Sequence, residues 1–172
     1  MATVFQPLPI GAAMLFASSG AGVPELTSVQ TTPATPTPGY AAYAFDPAVV
    51  ENLYYEFVIR NYGSGNLSLA LRWSTAATTG NAVWAAQIAA ITAADAGAVS
   101  AKAYATANSV TVAAAGSANI LNAATITISN LDSIANGDLV FLRFYRDAAS
   151  GSDTINSNDC LVYHLDLSYS DT

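Results

Sequence analysis

The chain has 172 residues, enough for one domain with a sizeable core, and 52% of them are hydrophobic. Charged residues make up only 10%, against about 25% in a typical soluble domain, and the net charge is −7. Lys102, Arg60, Arg72, Arg143 and Arg146 are the only cations, so no basic patch can track a phosphate backbone or dock on anionic lipid, and neither nucleic acid nor a membrane is expected as a partner.

The first 47 residues hold all seven prolines and no Lys or Arg, and their first acid is Glu25. Each proline fixes its own φ and biases the residue before it toward an extended conformation. The stretch "TTPATPTPGY" (31–40) is the densest part. Residues 1–47 are therefore expected to form an extended arm, followed by a β-sandwich domain over 48–172. Phe5, Leu8, Ile10, Met14, Leu15 and Phe16 supply apolar contacts for that arm, either along its own domain or onto a neighbouring subunit. The segment "IGAAMLFASSGAG" (10–22) has the apolarity of a signal peptide, but no cation precedes it and Pro7 and Pro9 sit immediately upstream, which reads against one. No apolar run reaches the ~18 residues of a membrane span.

From Tyr40 onward the pattern alternates with period two. "NLYYEFVIR" (52–60) places Leu53, Tyr55, Phe57 and Ile59 on one face. "NYGSGN" (61–66) follows with two glycines, and "LSLALRW" (67–73) then places Leu67, Leu69, Leu71 and Trp73 on one face. Two alternating runs around a glycine turn predict a hairpin. Residues 82–107 are ambiguous. "AVWAAQIAAI" (82–91) fits a strand with Trp84, Ala86 and Ile88 inward, and its alanines also fit a helix. "SVTV" (109–112), "ATITIS" (124–129), "DLVFLRFYR" (138–146) and "CLVYHLDLSY" (160–169) read as further strands. In the last, Leu161, Tyr163, Leu165, Leu167 and Tyr169 are expected inward, with Cys160, Val162, His164, Asp166 and Ser168 outward. About eight strands with frequent turns predict an all-β, two-sheet, jelly-roll-like sandwich. Trp73 and Trp84 then belong to its core rather than to a ligand platform.

Few residues suggest chemistry. One cysteine, Cys160, excludes an internal disulfide. Cys160 and the single histidine, His164, lie ~13 Å apart along a strand, and Asp166 lies ~7 Å from His164, so no nucleophile–base pair is expected. Asp147, Asp153, Asn156, Asn158 and Asp159 are oxygen-rich but lack EF-hand spacing, which favours a solvated loop. Glu25, Glu51 and Glu56 offer carboxylates without a pairing that singles out glycoside hydrolysis. No catalytic residue, cofactor or metal is expected. The run "DLVFLRFYRD" is apolar on both faces, so one face needs a cover besides the opposite sheet. Arg143, set among large apolar groups, then needs a carboxylate, with Asp166 or Glu56 as candidates. Tyr54 lies on a similar second face. Small uncharged residues where Lys and Glu are usual fit either a weakly polar β surface or one covered by other subunits. As exposed aromatics for a ligand, Tyr40, Tyr43, Tyr54 and Tyr62 are the candidates.

The segments "LRWSTAATTGNAVW" (71–84), read as a tryptophan hairpin, and "GDLVFLRFYRDAASGSDTINSNDCLVYHLDLSY" (137–169) resemble a group of small tailed-bacteriophage proteins. The likeness covers roughly residues 50–170 and leaves out the Pro-rich arm. It implies a jelly-roll capsid decoration, or cement, subunit. Such a subunit is a non-enzymatic virion protein on the outer capsid surface, assembled in the host cytoplasm, homotrimeric and bound to the major capsid protein. Phe5, Leu8, Ile10, Leu15, Phe16, Tyr54, Arg143 and Tyr145 are the expected inter-subunit contacts. The alternative is a phage tail-fibre or receptor-binding domain, or a carbohydrate-binding β-sandwich module.

Overall fold

The computed structural model describes residues 2–17, 21–29, 38–94 and 98–171. Most of the stretch 31–40 lies outside these residues, as do 18–20 and 95–97. The strands among the described residues are β1 (Thr3–Leu8), β2 (Glu25–Val29), β3 (Tyr40–Phe45), β4 (Glu51–Val58), β5 (Leu67–Thr75), β6 (Asn81–Ile91), β7 (Asn108–Ala113), β8 (Asn122–Ile128), β9 (Leu139–Arg146) and β10 (Cys160–Ser170). Single 3-10 turns lie at Ile10–Ala12 and Val99–Ala101. One sheet runs β2-β3-β10-β5-β8, with β1 also paired to β10, and the other runs β4-β9-β6-β7. From β3 to β10 the chain changes sheet at every step except the β6–β7 hairpin. This is a jelly-roll sandwich, the expected fold class. Residues 82–91 are strand, paired with β9 on one side and β7 on the other, and buried on both faces except at Gln87 and Ile91.

The alternating residues fill the space between the sheets. Leu67, Leu69, Leu71 and Trp73 from β5 are fully buried, and so are Leu53, Ile59, Ile88, Leu142 and Phe144 from the opposite side. Trp73 and Trp84 meet across the core with ring centres 5.6 Å apart. Trp84 stacks on Phe144 at 5.4 Å, and Phe45 stands edge-on to both. The tryptophans are therefore core.

The expected hairpin at 61–66 is instead a crossover, because β4 and β5 lie in different sheets. Tyr62 is buried at the turn, edge-on to Tyr169, and the Gly63 N–H bonds the Ser170 carbonyl. These contacts carry the chain over the end of the sandwich. The tryptophan segment is likewise a crossover, from β5 to β6. Alternation sets which face of a strand is buried, and two strands satisfy it equally well by pairing or by facing one another.

Within residues 1–47, β1 pairs with β10 of the same chain and β2 pairs with β3. Met14 and Gly22 bridge to Tyr54 and Glu51 and so cover part of the β4 edge, which would otherwise present unpaired backbone groups. Among the described residues β1 is bonded on one side only, where Pro7 is tolerated.

One charge pair lies inside the core. Arg146 is fully buried and makes a forked contact with Asp153, Nε to Oδ2 at 2.9 Å and Nη2 to Oδ1 at 2.7 Å. Asp153 Oδ2 also accepts the Val83 N–H at 3.0 Å. The polar loop 147–159 is thereby anchored inward at Asp153. Replacing Arg146 by Met strands a buried carboxylate and is expected to cost about 3–5 kcal/mol. The double variant Arg146→Met, Asp153→Leu should recover most of that loss but not all, because the Val83 N–H stays unpaired, at about 1–3 kcal/mol. Urea unfolding of the three proteins checks the order.

Candidate functional site

The site begins with an extra residue in β10. That strand pairs with β5 at Cys160↔Thr75, Leu161↔Ser74 and Val162↔Trp73, then passes over Tyr163 and resumes at His164↔Arg72. The bulge inverts part of the expected register. Cys160 and Val162 are fully buried, while Leu161 and Tyr163 are only partly covered. From Leu165 on, the inward set is as expected. A continuous alternation cannot show a bulge, because the extra residue restores the pattern with opposite parity.

The bulge turns Tyr163 onto the outer surface of the six-stranded sheet. Tyr40, at the start of β3 and 44% exposed, meets it edge-on with ring centres 5.5 Å apart. Below them the Ser74 hydroxyl, itself buried, lies 2.7 Å from the Tyr163 hydroxyl, with either atom able to donate. Asn119 and Leu121, from the loop before β8, form the opposite wall. Asn119 adopts positive φ, and its N–H bonds the Thr75 carbonyl at 2.7 Å, which fixes that loop against β5. With Leu161, these residues line a cleft of about 330 Å³, within the range of small-molecule sites, about 300–1,000 Å³. Aromatic faces and an aliphatic rim can hold an apolar ring face, while hydroxyl and amide groups can bond its polar edge.

A second cleft of about 460 Å³ lies between the β5–β6 and β9–β10 loops. Thr78, Thr79, Thr154, Asn156 and Asn158 line it. It offers hydrogen bonds but no aromatic face.

The other expected binding aromatics divide. Tyr43 and Tyr62 are buried in the core, and Tyr54 is half-buried on the outer surface of the four-stranded sheet. Of the expected contact residues, Leu8 is buried, Ile10 packs against the core, and Phe5, Leu15 and Phe16 are exposed. Phe16, Tyr54, Arg143 and Tyr145 come together. Phe16 touches Tyr54 at 5.7 Å, Tyr54 pairs with Arg143 across β4 and β9, and the Arg143 guanidinium lies 4.3 Å over the Tyr145 ring. Arg143 does not bond a carboxylate. Its Nε donates to Asn52 Oδ1 and its Nη1 to Gln87 Oε1, both at 2.7 Å, so neutral amides take that role.

Residues capable of acid–base chemistry are scattered. His164 and Asp166 lie 3.4 Å apart, closer than strand spacing suggests because both side chains lean outward from one face, and the pair is exposed. The Cys160 thiol is pushed up to about 12, chiefly by burial, and points into the core. Among the described residues no three His, Cys, Asp or Glu side chains gather as metal ligands.

No protein-family model and no curated protein matches the chain. Solved structures do. A family 35 carbohydrate-binding module from Clostridium thermocellum aligns over 97% of this chain and 98% of its own, with a TM-score of 0.52 and 14% identity. A study of promiscuous carbohydrate-binding modules of the β-sandwich superfamily supplies a second, at 0.46 and 9%, covering 96% of this chain and 56% of that one. A family 11 module from Clostridium thermocellum bound to a mixed-linked tetrasaccharide gives 0.44 and 9%, over 95% and 94%. The first likeness establishes a shared β-sandwich fold. All three are carbohydrate-binding modules, and none is a capsid protein.

Burial raises the pKa of Glu51 and of Asp159, and the nearby Asp46 carboxylate raises both further. Each group therefore holds its proton more tightly folded than unfolded. Their contribution to stability is fully present below the unfolded values and is lost as pH rises through the raised folded ones. Glu51→Gln should flatten this fall in urea-unfolding stability just above pH 4.5, the ordinary value for Glu51.

Proposed function

We propose that this chain is a non-catalytic carbohydrate-binding module whose ligand lies in the Tyr40–Tyr163 cleft. The observation that carries the reading is the bulge at Tyr163. It breaks the strand's alternation and places an aromatic ring outside, over a buried serine and against a second tyrosine. Bulges are over-represented next to functional sites, where they re-aim a side chain. A pyranose offers the matching surfaces, an apolar C–H face to the rings and a hydroxyl edge to Ser74 and Asn119. The acidic balance of the chain favours a sugar without negative charge. The fold shared with a carbohydrate-binding module agrees with this reading.

A glycan array followed by titration calorimetry tests it. Tyr163→Ala and Tyr40→Ala should each weaken binding of the best neutral glycan about tenfold or more, as aromatic anchors in a small site do. Trp73→Phe, in the core, should leave the affinity unchanged. An array without hits, or binding indifferent to both tyrosines, removes the proposal.

A second reading is a virion subunit bound to the major capsid protein. The exposed Phe16 ring beside Tyr54 and Arg143 favours it, as an aromatic and cationic patch on one surface backed by the buried Tyr145. Mass spectrometry of particles made by the genome that encodes the chain should find it in fixed proportion to the shell protein, and its absence would end this reading.

A further inference from the structure

We infer that the outer surface of the four-stranded sheet is a self-association face, on which two copies meet about a twofold axis and Arg143 of each takes Glu56 of the other. This goes beyond glycan binding and does not depend on it. Arg143 has five N–H donors, and among the described residues two are engaged by side chains, both neutral amides. Glu56 lies on the same surface. Tyr54 pairs with Arg143 and Glu56 with Phe141, so Glu56 and Arg143 are diagonal neighbours on adjacent strands. Diagonal positions lie about 7–8 Å apart, and the two side chains form no ion pair within the chain. Glu56 is exposed.

One face thus carries a cation and an anion that do not satisfy each other. Twofold symmetry puts residue i against j and j against i, so two copies facing one another complete both pairs at once. The surroundings fit such a contact. Phe16 is 56% exposed beside Tyr54, Leu15 precedes it, and Val58 is exposed next to Glu56 along β4. Aromatic rings and an arginine at the centre of a patch are the usual composition of an interface core. The Tyr104 pKa is raised, mainly by burial and then by Tyr54, while Arg143 lowers it. This places that half-buried hydroxyl in the same electrostatic neighbourhood. The expected twofold dimer differs from the trimer implied by the phage resemblance.

Sedimentation velocity across micromolar concentrations tests the inference. The unmodified protein should sediment as a dimer. Glu56→Arg should weaken the dimer about tenfold or more, Arg143→Glu likewise, and the double reversal should restore much of the loss. Circular dichroism and urea unfolding establish that each variant is folded. If Arg143→Glu fails to fold, because Asn52 and Gln87 lose their donor, Glu56→Arg and Phe16→Asp on the exposed face carry the test. A monomeric or trimeric wild type, or a dimer indifferent to both of those variants, overturns the inference. Loss of glycan binding in Tyr163→Ala with the dimer intact separates the two proposals.

Discussion

The pair between Arg146 and Asp153 ties the neighbouring strands β9 and β6 to β3 of the opposite sheet and to the loop that leads to β10. Arg146 ends β9 and points into the core, while Asp153 sits in the loop that leads to β10. Through Asp153 Oδ2 the same pair holds the Val83 N–H of β6, and through Nη1 the guanidinium reaches the carbonyls of Phe45 and Asn158 at 3.4 Å. Three strands from both sheets, β3, β6 and β9, and the loop 147–159 therefore converge on one desolvated charge pair. Such a pair adds little net stability against a well-packed apolar substitute. Its consequence here is positional, since it fixes where the loop 147–159 ends and hence where β10 enters its sheet.

That entry point governs the cleft. Cys160, Leu161 and Val162 pair with β3 on one side and β5 on the other. Past the bulge, β10 keeps β5 and exchanges β3 for β1. The extra residue falls where the neighbour changes, so the irregular pairing is confined to a short stretch while Leu165, Leu167 and Tyr169 stay packed in the core. Tyr163 faces outward with Leu161, a direction that the register of Leu165, Leu167 and Tyr169, continued without the extra residue, would not give it. Ser74 then holds its hydroxyl, and Tyr40 limits its ring from the side.

The sandwich was legible because burial on one face leaves a period-two trace. The Leu67–Trp73 and Trp84–Ile88 faces read directly as core. Pairing was not legible, since β4 and β5 carry the same trace whether they lie side by side or face each other. The bulge was hidden for a related reason. Leu161, Tyr163 and Leu165 look like one face, and only the pairing with β5 shows that Tyr163 is supernumerary. The one signal in the sequence was two adjacent aliphatics, Leu161 and Val162, before a tyrosine, which fits either parity. The Arg146–Asp153 pair escaped notice because a loop rich in Asp, Asn and Ser reads as solvated, and nothing local marks Asp153 as the residue that turns inward.

The scarcity of charge acquires a meaning once the cations are located. Arg146 is inside the core, and Lys102 is held by Asp132 at 2.9 Å. Arg72 lies on the outer surface of the six-stranded sheet and bonds a backbone carbonyl of its own strand. Arg143 stands on the opposite outer surface over the Tyr145 ring, and among the described residues its side-chain hydrogen bonds go to amides alone. The two outer surfaces are thus chemically unlike, one with a hydroxyl-floored tyrosine cleft and the other with an unneutralised guanidinium among aromatic rings. A dimer joined through the second surface leaves the first facing outward on both copies. Two clefts on one rigid body raise the effective concentration at which a repeating polymer meets the second cleft, and avidity then exceeds the affinity of either cleft without any new contact. A shallow site of this volume gains most from that arrangement, because each cleft can bind weakly while the pair holds the polymer firmly.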